Sequence, residues 1–367
     1  MLKESLYMLK RRIKGAKAIK AYDGNPEDIC YQIIQDCYNE RYFQVSAGHF
    51  NNFYVRDFGM CVKALLKLEL KEVVHITLTY AMSAFEEEGK ITTTITDDET
   101  KDFFDISPDS LAFLLYSLRV AKEFALVEAY KKLLNKEINR YYNEIVEKSG
   151  KFKGLVKEGY FGSMKDHAIR NSSCYDNCML AMISNEADKL KLDNPFKKHN
   201  YKKLIKKHFW NGQHFKDDLN NDIATGDANV FPYWCEVFEL KKSESKKMLK
   251  SSIKAIQKNK LDKPFPLKYS NKKAKDYGNF LFWPSLFAPN YEGNAIWMHL
   301  GLCYLDIIAK IDKKLLKKYL KSYTKLIKDY KNFLEVYDCD GKPYKSLFYL
   351  SDESMIWCCK YLELNER

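Results

Sequence analysis

The chain is predicted to be all-α, an (α/α)6 toroid in which about twelve helices form two concentric rings. Three observations predict it. Amphipathic and wholly apolar helical segments alternate along the chain. Acidic residues open the apolar ones at nearly regular intervals. Finally, 9 Pro and 15 Gly in 367 residues are too few turn formers for an all-β sandwich.

After a basic amphipathic segment at 1–24, apolar periodicity pairs 27–41 with 57–69, 71–87 with 108–124, and 126–147 with 175–190. It then pairs 198–208 with 228–240, 243–258 with 293–311, and 313–331 with 352–364. The first member of each pair has a Lys- or Glu-rich face, as in KKLLKKYLKSYTKLIKDYK at 313–331. The second is apolar nearly all round, as in SLAFLLYSL at 110–118, GNAIWMHLGLCYLDIIAKI at 293–311 and ESMIWCCKYL at 353–362. A helix apolar all round is buried and an amphipathic one lies outside it, so six of each describe an inner and an outer ring.

The buried helices are expected to open with Asp57, Asp109, Asp176, Asp227, Glu292 and Asp352, separated by 52, 67, 51, 65 and 60 residues. Capping accounts for acids there, since a carboxylate accepts orphan N–H groups and complements the helix dipole. The functional alternative is that all six helices start at one rim, where their loops line a single acidic, aromatic crater. The polar joints at 185–200 and 258–279 read as loops between hairpins, so 1–367 is taken as one domain.

Composition narrows the function. The balance of 46% hydrophobic and 30% charged residues excludes disordered and fibrous classes. A net charge of +12 raises nucleic acid as a partner, but the Lys residues fall in helical blocks such as Lys313, Lys314, Lys317, Lys318, Lys321, Lys325 and Lys328. That is the pattern of a solvated helix face, and no nucleic-acid partner is expected. Ten Cys without a CxxC pair fit reduced thiols and a cytoplasmic location. The opening stretch has no apolar h-region and no apolar run approaches a membrane span, so neither a signal peptide nor a membrane partner is expected.

The crater loops hold the residues that carry chemistry. HFNNFYVRDFGMCVKALL at 49–66 crowds His49, Phe53, Tyr54, Arg56 and Asp57. FFDISPDSLAFLLYSL at 103–118 has Asp105 and Asp109. YFGSMKDHAIRNSSCYDNCML at 160–180 holds Asp166, His167, Arg170 and Asp176. TGDANVFPYW at 225–234 ends on Trp234. FWPSLFAPNYEGNAIWMHLG at 282–301 supplies Trp283, Tyr291, Trp297 and His299, and NFLEVYDCDGKPY at 332–344 supplies Glu335. His208 and His214 have no carboxylate or Cys at metal spacing, and DCDGK at 338–342 lacks the later ligands of a calcium loop, so no metal is expected. No Walker or dinucleotide glycine pattern occurs, and no cofactor is expected.

The order and type of these strings resemble the six-hairpin glycosidases: glucoamylases, neutral/alkaline invertases and glycogen-debranching glucosidases. YVRDF at 54–58 is similar to their aromatic-x-Arg-Asp, and SPDSLAFLLYSL to their Asp-Ser/Ala segment before a buried helix. SMKDHAIR at 163–170 resembles the Met-x-Asp loop, NYEGNAIW at 290–297 the Tyr-His-x-Gly-x-x-Trp-Pro string, and FLEVYD at 333–338 the Pro-Glu-Tyr-Tyr-Asp string. The resemblance runs over 49–362. It departs at Glu292, where the relatives have His, and at Met298, where they have Pro; a Trp-Glu-Glu loop of the glucoamylase kind is absent.

The resemblance implies an inverting glycosidase acting on an α-glucoside-like substrate, with Asp166 as general acid and Glu335 as general base. It places Arg56, Asp57 and Asp109 on the sugar hydroxyls. Tyr54, Tyr291, Trp297 and Trp283 would give stacking faces, as would Phe53 and Trp234, and Arg170 would add a further contact. Inversion needs one protonated and one ionised carboxyl roughly 6.5–9.5 Å apart, leaving room for a water. The same toroid also carries sugar 2-epimerases and unsaturated-uronyl hydrolases. An epimerase would use paired His, for which only His49, His167 and His299 are available. A non-catalytic sugar-binding toroid would leave Asp166 and Glu335 apart, Asp166 capping a turn and Glu335 paired with an outer-helix Lys.

Overall fold

The computed structural model describes residues 20–96, 99–102, 106–276 and 278–366, with backbone alone for Tyr160, Trp283 and Pro284. Most of the basic N-terminal segment and Asp105 therefore lie outside the described residues.

The outer helices, with the inner helix each precedes, run α1 (Pro26–Asp36) and α2 (Val55–Lys67), then α3 (Lys71–Glu88) and α4 (Pro108–Val120). Two short outer helices, α5 (Phe124–Ala129) and α6 (Lys131–Ile145), precede α7 (Cys174–Lys189). The remaining pairs are α8 (Tyr201–Phe209) with α9 (Gly226–Trp234), α10 (Ser243–Lys258) with α12 (Met298–Ala309), and α13 (Lys313–Tyr330) with α14 (Cys358–Asn365). A one-turn helix, α11 (Phe282–Phe287), sits in the loop before α12.

The six inner helices pack in the cyclic order α2, α4, α7, α9, α12, α14, and α14 returns to α2, so the ring closes. Each outer helix packs on the inner helix before it round the ring, α3 on α2 and α13 on α12, with α1 resting on α14. The predicted (α/α)6 toroid is the observed architecture. Periodicity decides the ring a helix joins: α13 buries Leu316, Tyr319, Leu320, Tyr323, Leu326 and Ile327 at three- and four-residue spacing. Its seven lysines from Lys313 to Lys328 all face solvent. α12 instead buries Met298 to Leu305 without a break, together with Ile307 and Ile308. Each such aliphatic side chain contributes about 1.5–3 kcal/mol on burial, which makes the inner ring the main source of stability.

Close approach of α2 and α4 depends on Gly59, where an added Cβ would stand 2.6 Å from Cβ of Phe113. Gly59→Ala is expected to destabilise the protein by ~1–3 kcal/mol despite the better helix propensity of Ala, measurable as a lower denaturant midpoint at unchanged slope.

Several boundaries differ from those predicted. The 126–147 segment is two helices, because Tyr130 leaves helical geometry at φ −103°, ψ 18°. The 228–240 segment stops at Trp234, and Glu236 then takes a left-handed φ of 57° while the Phe238 N–H bonds back to the Pro232 carbonyl. The acids at 57, 109, 176 and 227 do lie in first helical turns. Glu292 and Asp352 do not: their helices begin only at Met298 and Cys358. Short rim strands, invisible to periodicity, occupy the gaps. β1 (Phe53–Tyr54), β2 (Thr94–Ile95) and β3 (Thr100–Lys101) form one antiparallel sheet. β4 (Glu158–Tyr160), β5 (Ala168–Asn171) and β6 (Asn279–Phe280) form another. β7 (Ile296–Trp297) pairs with β8 (Val336–Tyr337), Trp297 opposite Val336.

Candidate active site

The rim strands aim the crater residues. Asp166 and His167 immediately precede β5, and Glu335 immediately precedes β8. The β7–β8 pairing continues as the Met298 N–H donates to the Glu335 carbonyl (3.2 Å), so Glu335 is fixed by backbone before its side chain makes any contact.

One cation joins three of the predicted residues. Arg56 Nη1 lies 3.4 Å from Asp166 Oδ1 and 3.5 Å from Asp109 Oδ2, and it donates to the Ser163 carbonyl. Its Nε is 3.7 Å from Asp57 Oδ2. Asp57 also accepts from the Trp357 indole N–H (3.0 Å), and burial pushes its carboxyl up to about 6 against the pull of Arg56. Asp109 accepts from Ser107 (2.6 Å) and from the Tyr175 hydroxyl (2.8 Å), and burial raises it as well. The Asp166 side chain is 23% exposed, against 12% for Arg56, 7% for Asp57 and none for Asp109.

Glu335 is 2% exposed. Its Oε1 accepts from the Tyr291 hydroxyl (2.5 Å), and its Oε2 accepts from the Tyr349 hydroxyl and the Asp352 N–H (3.0 Å). Burial raises its carboxyl, with nearby His49 acting in the opposite direction. Four lone-pair sites less three donors leave one on Oε1.

Tyr291 and Glu292 are consecutive and hold two different loops, those of Glu335 and of Asp166. Tyr291 holds Glu335, while both oxygens of Glu292 accept from the backbone N–H of His167, at 3.0 and 2.9 Å. Trp297 braces this turn by donating to the Tyr291 carbonyl (2.7 Å). Glu292, expected as a helix opener, is thus a splint for the Asp166 loop. Asp352 likewise accepts from the backbone N–H groups of His49 (2.9 Å) and Phe50 (3.0 Å) and from the Ser46 hydroxyl, which ties the last inner-helix loop to the first.

Other predicted residues fall elsewhere. Arg170 is buried on Asp227 (3.0 Å), with Asp217 (3.7 Å) and Asp176 (3.8 Å) beside it, so its charge is spent inside the protein. Lys165, 2.7 Å from Asp217 and 3.5 Å from Asp227, completes that cluster. Burial alone would raise Asp227, but Lys165 and Arg170 together hold it below the ordinary carboxylate value. Phe53 is fully buried in β1. Trp234, at the far end of α9, donates to Asp306 (3.0 Å) and packs against Phe113, Tyr116 and Phe231. Tyr54 stays half-buried at the rim against Phe50. The Trp283 side chain lies outside the described residues. His299 is buried between the rings of Trp297 and Trp357, within 3.3 Å of the Tyr269 hydroxyl. Sequence reasoning missed Tyr349 and Trp357; Trp357 stood in a segment noted only for its apolarity.

Among the described residues no group of three or more His, Cys, Asp or Glu is placed to hold a metal ion, and no helix is long and apolar enough to cross a membrane. Closure of the inner ring defines an (α/α)6 toroid. No protein-family model matches the chain, and no curated protein matches it in sequence. Solved structures resemble it in fold. A rhamnosidase from Klebsiella oxytoca with rhamnose bound superposes with a TM-score of 0.64 at 12% identity, covering 94% of this chain and 65% of the rhamnosidase. A GH63 mannosylglycerate hydrolase from Thermus thermophilus in complex with glucose gives 0.61 at 10% identity, covering 92% of this chain and 99% of that one. A glycosidase variant in complex with glucose gives 0.57 at 8% identity over 93% and 95%.

Proposed function

We propose that the protein is an inverting glycoside hydrolase that cleaves an α-glucoside-like bond, with Asp166 as general acid and Glu335 as general base. The observation that carries this reading is the turn at Tyr291 and Glu292, which holds Glu335 on one side and the Asp166 loop on the other. Two carboxyls splinted across a crater suit a reaction that protonates one face of a sugar and deprotonates water on the other. The more exposed Asp166 protonates the glycosidic oxygen. The deeply held Glu335 uses its remaining Oε1 lone pair to orient and deprotonate the attacking water. Arg56 and Asp57 bind hydroxyls of the non-reducing sugar. The structural neighbours with bound rhamnose and glucose support a sugar as ligand, and a toroid with few insertions to build distal subsites favours a small oligosaccharide over a polymer.

A hydrolysis screen of α-linked disaccharides, glycosylglycerate-type compounds and maltodextrins tests this, with product anomers followed by NMR. Inverted product from one of them is expected. Retained product would exclude the roles given to Asp166 and Glu335. Sugar binding with no turnover on any substrate would favour a binding toroid instead.

A further inference from the structure

Lys165 is a fully buried ammonium directly before Asp166, and the acid-base reading above leaves it unused. Burying a cation costs several kcal/mol unless acids offset it, and here two do. Its Nζ lies 2.7 Å from Asp217 Oδ1 and 3.5 Å from Asp227 Oδ1. Both acids are themselves fixed. Asp227 sits in the first turn of α9, and Asp217 accepts from the Thr225 hydroxyl (3.1 Å) while its carbonyl accepts from the Cys174 N–H (2.9 Å) at the start of α7. The same ammonium stands 5.5 Å from the centre of the Tyr269 ring, whose hydroxyl donates to the Met164 carbonyl (2.8 Å). Ser163 accepts from Arg56 at its carbonyl and from Arg170 Nη2 at its hydroxyl (3.1 Å). On the other side of Asp166, the His167 N–H donates to Glu292 and the His167 carbonyl accepts from the Leu281 N–H (2.8 Å). Asp166 thus projects from a stretch tied down at 163, 164, 165 and 167.

We propose that Lys165 is a positioning residue for the general acid: through Asp217 and Asp227 it ties the peptide before Asp166 to α7 and α9, and so fixes where the Asp166 carboxyl stands. This rests on the glycosidase reading above. A general acid works only within hydrogen-bond reach of the oxygen it protonates, about 2.6–3.2 Å, and a displacement of about 1 Å costs about 10²-fold in rate. Met at 165 keeps much of the side chain's length and loses its charge. The loop then loses its link to the inner ring, while Arg56, Tyr269 and Glu292 still hold its ends. Lys165 is sealed from solvent and does not reach the sugar, so its loss acts on kcat and leaves KM alone.

Maltose and p-nitrophenyl α-glucoside serve as probes of the full chain. Lys165→Met is expected to lower kcat on maltose by about 10–100-fold with KM unchanged, and the loss should be smaller on the activated aryl glucoside. Lys165→Arg, which keeps a cation for the two acids, should recover part of the rate. The deciding comparison is in an Asp166→Asn background, where Lys165→Met should lower the residual rate no further. An equal loss in both backgrounds means that Lys165 supports the fold at large and overturns the proposal, as does a loss confined to KM. Hydrogen exchange without sugar gives a readout independent of turnover. The 161–169 peptide should exchange faster in Lys165→Met, while α7 and α9 keep their protection. Unchanged exchange in that peptide overturns the tether even if turnover is intact. Faster exchange there, with no hydrolysis of either probe by the wild type, overturns the α-glucoside reading and leaves the tether standing. Should Lys165→Met fail to fold, Asp217→Asn decides. It removes the 2.7 Å contact and keeps the 3.5 Å one, so kcat should fall by a smaller factor, and an unchanged kcat overturns the proposal.

Discussion

Asp166→Asn and Glu335→Gln are each expected to lower kcat on the best glycoside by about 10²–10⁴-fold, the range a positioned acid or base contributes. The two should differ in how they fail. Asn at 166 cannot protonate the leaving oxygen, so substrates with poor leaving groups should suffer most, and an activated aryl glycoside should recover part of the rate. Gln at 335 cannot deprotonate water, and leaving-group quality should not help it. An added small anion such as azide should restore turnover to the Glu335 variant only. Neither substitution should unfold the protein. Asp166 is partly exposed, and Gln at 335 still offers an amide oxygen to two of the three donors, Tyr291, Tyr349 and the Asp352 N–H. If both variants keep full activity, the assignment of these carboxyls is wrong.

The largest effect on stability is expected at Arg170. Replacing it by Met keeps much of the volume but leaves Asp176, Asp217 and Asp227 facing one another in the interior with Lys165 as the remaining nearby cation. Breaking one side of a buried ion cluster costs about 3–5 kcal/mol, because the stranded charges cannot return to water. The sign with pH follows from linkage. Asp227 is held low by the two cations, so losing Arg170 raises it, and the folded variant binds a proton at a pH where the unfolded chain does not. The deficit should therefore be greatest at neutral pH and shrink as the medium becomes acidic enough to protonate these carboxyls. Denaturant titrations at several pH values measure it. An Arg170→Met protein as stable as the wild type at neutral pH would mean that the cluster relaxes or hydrates.

The ring architecture was legible in the sequence because burial is written in periodicity: α12 and α14 read as apolar all round, α13 as apolar on one stripe, and the structure sorts them accordingly. Four acids in first helical turns were legible for the same reason. Glu292 and Asp352 were misplaced because two-residue rim strands such as β7 carry too few positions to show a period of two. Arg170 was read as a sugar contact because its string matched a family loop, and sequence does not show which way a strand residue points. In β5 it faces inward to the acids. Tyr349 went unnoticed because its link to Glu335 is a tertiary contact between two loops with no shared pattern. Distances of that kind are set by how the hairpins stack, and no local signal encodes them.

Ring closure also dictates when the crater becomes whole. Asp57 finds its Trp357 partner 300 residues along the chain, and Ser46 finds Asp352 across 306. During synthesis the first five hairpins emerge from the ribosome with α2 bare along the flank that α14 later covers, and with Asp57 and Arg56 lacking their final surroundings. Long sequence separation of this sort slows the closing step. The sixth hairpin is thus the clasp, because the inner ring closes only when α14 packs on α2.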